Sequence, residues 1–138
     1  MPFSRNIFLI DDDEDDREIF KEALVDTQIN VELFTAINGK EGLNKLEETE
    51  TLPDVIFLDL NMPIMGGKLF LKAIKMTDRL KQIPVYIYST SSQPEEKEDT
   101  ALLGAAGFLT KPRDINSLIT SLTEILSTYY NYPKTENQ

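Results

Sequence analysis

Four short polar stretches hold the side chains with which this chain could do chemistry. They are Asp11 with Asp12, then Asp59, then Ser89 with Thr90, and finally Lys111 between Thr110 and Pro112. The 138 residues include no Cys and no His. That excludes disulfides, thiolate zinc sites, Cys nucleophiles, imidazole bases and phosphohistidine. Chemistry is left to carboxylates, Lys, and Ser, Thr or Tyr hydroxyls. Three carboxylates brought close would repel, each disfavouring ionisation of the others. A divalent cation relieves that repulsion, and an all-oxygen donor set favours Mg²⁺, Mn²⁺ or Ca²⁺ over zinc or copper. With the cation on Asp11 and Asp12, Asp59 would keep a carboxylate oxygen free to attack phosphorus. Lys111 and Ser89 would then supply a charge and a hydroxyl donor to the phosphoryl oxygens.

For these stretches to meet, each must end a strand of one sheet. Strands are predicted over residues 6–10, 31–36, 54–58, 84–88 and 107–109. Phe8-Leu9-Ile10 and Val55-Ile56-Phe57-Leu58 are apolar at every position, as strands covered on both faces should be. Val31-Glu32-Leu33-Phe34 is mixed and suits an edge. Helical spacing links Ile19, Phe20, Ala23 and Leu24, and again Leu69, Phe70, Ala73 and Ile74. It is clearest in Ile115, Leu118, Ile119, Leu122, Ile125 and Leu126, and weaker around Leu43 and Leu46. Residues 94–104 start polar and are the least secure helix. Five βα units with right-handed crossovers make a doubly wound α/β domain with a parallel sheet. Ligands of such sheets sit at the carboxyl ends of the strands, where all four polar stretches fall.

Lys and Arg number 14 against 24 Asp and Glu, a formal net charge of −10. This sign argues against nucleic acid as a partner. Residues 11–18 carry seven acids and one base and contribute −6 of that charge. Asp13, Asp15 and Asp16 fall where a first helix starts, and acids there complement its positive end. Glu14 and Glu18 are expected on the solvated face. Asp11, Asp13, Asp15 and Glu22 match positions 1, 3, 5 and 12 of a calcium loop. However, Asp16 stands where that loop needs Gly, and a strand rather than a helix precedes it. No Gly-rich phosphate loop follows the first strand, which removes a dinucleotide site. No signal peptide is evident and no apolar run nears the ~20 residues that span a bilayer. The expectation is one soluble, cytoplasmic domain over residues 1–130, with a polar tail over 131–138. Tyr129, Tyr130 and Tyr132 form an aromatic cluster, packed within the monomer or, with Leu126, extending a dimer face.

Taken together, Phe8-Leu9-Ile10-Asp11-Asp12-Asp13, Asp54-Val55-Ile56-Phe57-Leu58-Asp59-Leu60-Asn61-Met62-Pro63, Ser89-Thr90 and Gly107-Phe108-Leu109-Thr110-Lys111-Pro112 resemble the receiver domain of two-component response regulators, typified by the chemotaxis receiver. The resemblance covers about residues 6–126. It implies a flavodoxin-like strand order 2-1-3-4-5. It also implies that Asp59 is the phosphoacceptor, with Asp12 binding Mg²⁺ (or Mn²⁺) directly and Asp11 directly or through water. Asn61 would give its backbone carbonyl to the metal, Ser89 would hydrogen-bond the phosphoryl group, and Lys111 would pair with it. Phe108 would take the switch-aromatic position, turning inward as Ser89 engages the phosphate. The Lys111–Pro112 bond would be cis.

Three positions depart from that pattern. Phe108 stands where Tyr is frequent and has no hydroxyl to bond. Met65-Gly66-Gly67 replaces the commoner Met-Asp-Gly, which suggests a looser loop. Thr90 stands where a small residue is usual, and its bulk would narrow access to the phosphoryl group. The function implied is a stand-alone response regulator rather than an enzyme in its own right, because residues 127–138 are too few for a DNA-binding effector domain. It would take its phosphoryl group from a histidine kinase or phosphotransfer protein. It would signal by docking to a protein target through its fourth helix, fifth strand and fifth helix, as a monomer or weak homodimer. The alternatives are a receiver-like interaction module that works without phosphorylation, or a metal-dependent phosphohydrolase.

Overall fold

The computed structural model describes residues 4–91 and 93–130. Five strands alternate with five helices: β1 (Asn6–Ile10), α1 (Glu14–Asp26), β2 (Glu32–Ala36), α2 (Gly39–Glu48), β3 (Val55–Leu58), α3 (Gly67–Lys75), β4 (Val85–Ser89), α4 (Pro94–Leu102), β5 (Gly107–Thr110) and α5 (Ile115–Tyr129). All pair in parallel, in the order β2-β1-β3-β4-β5. This is the doubly wound fold expected from the alternation of strand and helix patterns.

Each strand's alternation divides the core in two. Ile7, Leu9, Val55 and Phe57 point to one face, where Phe20, Ala23 and Leu24 of α1 and Leu118, Leu122 and Leu126 of α5 cover them. Phe8, Ile10, Ile56 and Leu58 point to the other, under Leu46 of α2 and Phe70, Leu71 and Ile74 of α3. The central strands β1 and β3 are therefore buried on both sides, whereas the edge strands β2 and β5 are only partly so. Two residues expected on buried helix faces lie outside them. Ile19 and Leu69 are 44% and 59% exposed, because each sits at the margin of its apolar stripe while Phe20 and Phe70 take the centre. The helix over residues 94–102 does form, started by Pro94 at its first position. It buries Thr100 and is joined to α3 by ion pairs from Lys68 to Glu96 and Asp99.

The aromatic residues at the end of α5 pack against other parts of the chain. Tyr130 is buried and donates its hydroxyl to Asp54 Oδ2, while the Tyr129 and Tyr86 hydroxyls lie 2.9 Å apart. Asp54 also accepts from the backbone N–H groups of Ser4 and Arg5, so one carboxylate ties the starts of β1 and β3 to the end of α5. Tyr132 and the tail over 131–138 lie outside the described residues.

Gly67 is where the fold is tightest. A Cβ there would stand 2.5 Å from the carbonyl oxygen of Asp59 and 2.8 Å from Leu60 Cα, both backbone atoms that cannot swing away. Gly67→Ala is expected to lower stability by about 1–3 kcal/mol, read as a fall in the urea midpoint at unchanged slope.

Candidate functional site

The parallel register builds the site. Ile10 pairs with Leu58, so the residues that follow, Asp11 and Asp59, emerge side by side at the carboxyl end of the sheet. Backbone bonds continue one step past the strands and hold them there. Asp11 N–H donates to Ala36 O at 3.0 Å, and Asp59 N–H to Ile10 O at 2.9 Å. On the far side Ser89 pairs with Thr110, and Lys111 N–H donates to Ser89 O at 2.7 Å. Asp11, Asp12 and Asp59 each offer a carboxylate oxygen, all within 4.8 Å of one another. Asp11 and Asp59 are buried and Asp12 is exposed.

Lys111 reaches into this group with its side chain 10% exposed. Its Nζ lies 2.8 Å from Asp11 Oδ2, 2.7 Å from Asp16 Oδ2 and 3.8 Å from Asp59 Oδ2. The contact with Asp11 is an ion pair, and the buried Asp11 Oδ2 has no directed hydrogen-bond partner. Only Asp16 receives a directed bond from the ammonium, which also lies 5.2 Å from the centre of the Tyr88 ring. Burial works to lower the Lys111 pKa, but the side chains of Asp11 and Asp16 outweigh it and hold the ammonium above its ordinary value.

Asp59 is held in the opposite sense. Burial, helped by the charges of Asp11 and Asp12, lifts its pKa from 3.8 to about 7 against the opposing pull of Lys111 and the Asn61 backbone. Burial likewise raises the pKa of Asp11 despite its contact with Lys111. A raised carboxylate pKa and a buried oxygen without a hydrogen bond are what a bound cation would relieve. The donors are all oxygen, and the set fits a hard divalent ion.

The helix that follows β1 starts beside the acids. Asp13 caps α1, accepting from Asp16 N–H at 2.9 Å, and Glu14, Asp15 and Asp16 fill its first turn. The helix-start role expected of Asp13 and Asp15 holds. Asp16 does more, because it takes up Lys111 from 95 residues away in sequence, a link that no local pattern announces. Arg17 Nη1 donates to the Asp11 carbonyl at 2.8 Å and braces the loop from behind. Glu14 and Glu18 are exposed, as expected.

The other expected residues fall around the same rim. Ser89 is buried, and its Oγ accepts from Ser91 N–H at 3.2 Å. Thr90 and Asn61 are exposed. Phe108 is half-buried on β5 opposite Ile87, on the sheet face that Ser89 shares, with Lys97 Nζ 5.7 Å from its ring centre. In the loop after Asp59, Gly66 occupies the cap of α3 and supplies no side-chain hydrogen bond. Ile64 sits at a φ of 71°, unusual for a β-branched residue, in a tight turn closed by Met65 N–H on Pro63 O. The Lys111–Pro112 bond departs from expectation. No described peptide bond is cis, and the preference between the two forms before proline is small enough for tertiary context to set it.

Residues 7–123 match the model of the response regulator receiver domain family. The chain belongs to that family. Response regulator Rcp1 of Synechocystis sp. is 31% identical over 117 residues, which cover 81% of this chain and 80% of Rcp1. The crystal structure of the Mn²⁺-bound form of Rcp1 superposes with a TM-score of 0.80 at 28% identity, over 91% of this chain and 94% of that one. The phosphorylated cyanobacterial phytochrome response regulator RcpA gives 0.81 at 28% identity, over 96% of each chain. Other curated relatives are longer. The chain spans 13% of a sensor histidine kinase, 26% of a methylesterase and 50% of a transcriptional regulator with which it shares the receiver region. Receivers are phosphoacceptors rather than enzymes of the usual kind, and the carboxylate rim of this one fits a divalent cation.

The Asp59 environment has a measurable sign. A folded-state pKa of about 7 against 3.8 means the folded protein binds a proton that the unfolded chain releases, so this residue's ionisation erodes stability as pH rises from 3.8 through about 7. In chelator, Asp59→Asn is expected to raise the urea midpoint over wild type at pH 8, with the gain shrinking towards pH 4.5. A divalent cation at pH 8 should stabilise wild type more than the variant.

Proposed function

We propose that this receiver accepts a phosphoryl group on Asp59 and switches its binding of a protein partner as a result. The observation that carries the reading is the placement of Lys111 Nζ 3.8 Å from Asp59 Oδ2, beside a second pair of carboxylates that fit a cation. Asp11, Asp12 and Asp59, with the backbone carbonyl of Asn61, would hold Mg²⁺ or Mn²⁺. When bound, the ion neutralises the crowded acids and draws off charge from the phosphoryl oxygens. The Mn²⁺-bound form of Rcp1 and the phosphorylated form of RcpA support both halves of this reading.

The chain's own residues do the rest. A carboxylate oxygen of Asp59 forms the new bond to phosphorus as the donor's bond to phosphorus breaks, and the leaving group departs with that electron pair. Lys111 moves the short remaining distance to pair with the phosphoryl oxygens. Ser89 gives up its contact with the Ser91 backbone and donates its hydroxyl to another. Phe108 shares the sheet face of Ser89, so the vacated space draws its ring inward from the surface beside Lys97. The donor is a histidine kinase or a histidine phosphotransfer protein, the partners with which receiver domains of this kind interact. With a match to Rcp1 over most of both chains, a stand-alone regulator acting on another protein is the best-supported arrangement. No described helix is long and apolar enough to cross a membrane, which suits a cytoplasmic switch.

Incubation with acetyl phosphate and Mg²⁺, followed by intact mass, is expected to add one phosphoryl group to wild type and none to Asp59→Asn or to wild type in chelator. Absence of the adduct with a panel of histidine kinases as well as acetyl phosphate would overturn the reading. Thr90 lies next to Ser89 at the mouth of the site, and its branched side chain screens the phosphoryl group from water. Thr90→Ala is expected to shorten the half-life of the aspartyl phosphate, measured by the decay of the mass adduct after donor removal.

A further inference from the structure

The ammonium of Lys111 faces three carboxylates, yet its directed hydrogen bond goes to the one that stands outside the acid cluster. Asp16 Oδ2 receives that bond at 2.7 Å, beside the ion pair with Asp11 Oδ2 at 2.8 Å, while Asp59 Oδ2 is 3.8 Å away. Neither end of the pair is loosely placed. Asp16 sits in the first turn of α1 with its backbone N–H on the Asp13 cap, and the neighbouring Arg17 side chain bonds the Asp11 carbonyl. Lys111 is fixed by its own backbone N–H on Ser89 O and lies beside the Tyr88 ring. A side chain held in this way by a partner that takes no part in phosphoryl transfer has to be released before it can serve.

We propose that Asp16 is a positioning residue that holds the Lys111 ammonium short of Asp59 and competes with the incoming phosphoryl group for it. The proposal rests on the phosphoacceptor reading of Asp59. With acetyl phosphate as donor, the Asp59 oxygen–phosphorus bond forms as the bond from phosphorus to the acetyl oxygen breaks, and acetate leaves with the electron pair without any proton transfer. The phosphoryl oxygens gain charge-assisted donors only as far as Lys111 yields its bond to Asp16. That bond favours the resting state over the transition state, so it slows acceptance. The side chain of Asp16 is 32% exposed, and an ion pair of that exposure sets the effect at about 2- to 5-fold in rate.

The test compares Asp16→Asn with Asp15→Asn, which removes the same charge from the same helix turn at an exposed position. With Mg²⁺ and acetyl phosphate, Asp16→Asn is expected to accept the phosphoryl group about 2 to 5 times faster than wild type, and Asp15→Asn to stay close to wild type. A second measurement needs no donor. In ¹H–¹⁵N spectra the Lys111 ammonium signal, assigned by its loss in Lys111→Arg, should persist in wild type and Asp15→Asn and broaden in Asp16→Asn. Asp16→Asn accepting no faster than Asp15→Asn, or keeping an unchanged ammonium signal, overturns the proposal alone. A wild type that takes no phosphoryl group on Asp59 from any donor overturns the phosphoacceptor reading and this proposal with it.

Discussion

Asp11 and Asp59 cannot move apart, because they are the first residues beyond two neighbouring strands whose register is locked by the core. Ile10 and Leu58 are fully buried and paired, and the backbone bonds of the sheet run on past them into both acids. The apolar packing of the sheet therefore pays for holding like charges together in a place with little water to screen them. Much of the surrounding structure is an answer to that constraint. Lys111 is drawn in, the positive end of α1 lies close by, and Arg17 braces the backbone of Asp11. One ammonium against three carboxylates at the rim and a fourth on α1 still leaves an excess of negative charge. That excess is the chemical opening for a divalent cation.

The same arrangement links the rim to the core. The Lys111 ammonium lies against the Tyr88 ring, whose edge meets Phe20, which in turn meets Phe57 beneath the sheet. On the opposite face, Ser89 and Phe108 share a side of β4 and β5. Lys111 and Ser89 thus touch both packed layers, one through the Tyr88 ring and the other through the sheet face it shares with Phe108.

Much of this was legible in the sequence. Short runs such as Val55-Ile56-Phe57-Leu58 read as strands covered twice, and an acid directly after each of two parallel strands reaches the same rim. The strand bounds were right to within a residue, and most sharply in β1 and β3, whose apolar runs end at Asp11 and Asp59. Helix faces were less exact. Ile19 and Leu69 carry the right spacing, but a stripe on a helix has margins, and which residues fill its centre depends on how the helix is rotated on the sheet. The Lys111–Asp16 bond was not legible, since Asp16 looks like any other acid of a first helical turn until the fifth strand delivers Lys111 to it. The trans bond at Pro112 was equally beyond reach, as the two dipeptide forms differ too little for sequence to choose.

The carboxylate of Asp54 gathers Ser4, Arg5 and Tyr130 at the amino-terminal end of the sheet, with the Arg5 guanidinium 4.9 Å from the centre of the Tyr130 ring. The first and last described parts of the chain are thereby fastened at the floor of the domain, with the full length of the strands between them and the acidic rim. Anything joined to the domain at either end hangs from that floor. Both described ends of the chain therefore lie at the opposite end of the sheet from the carboxylates of Asp11 and Asp59.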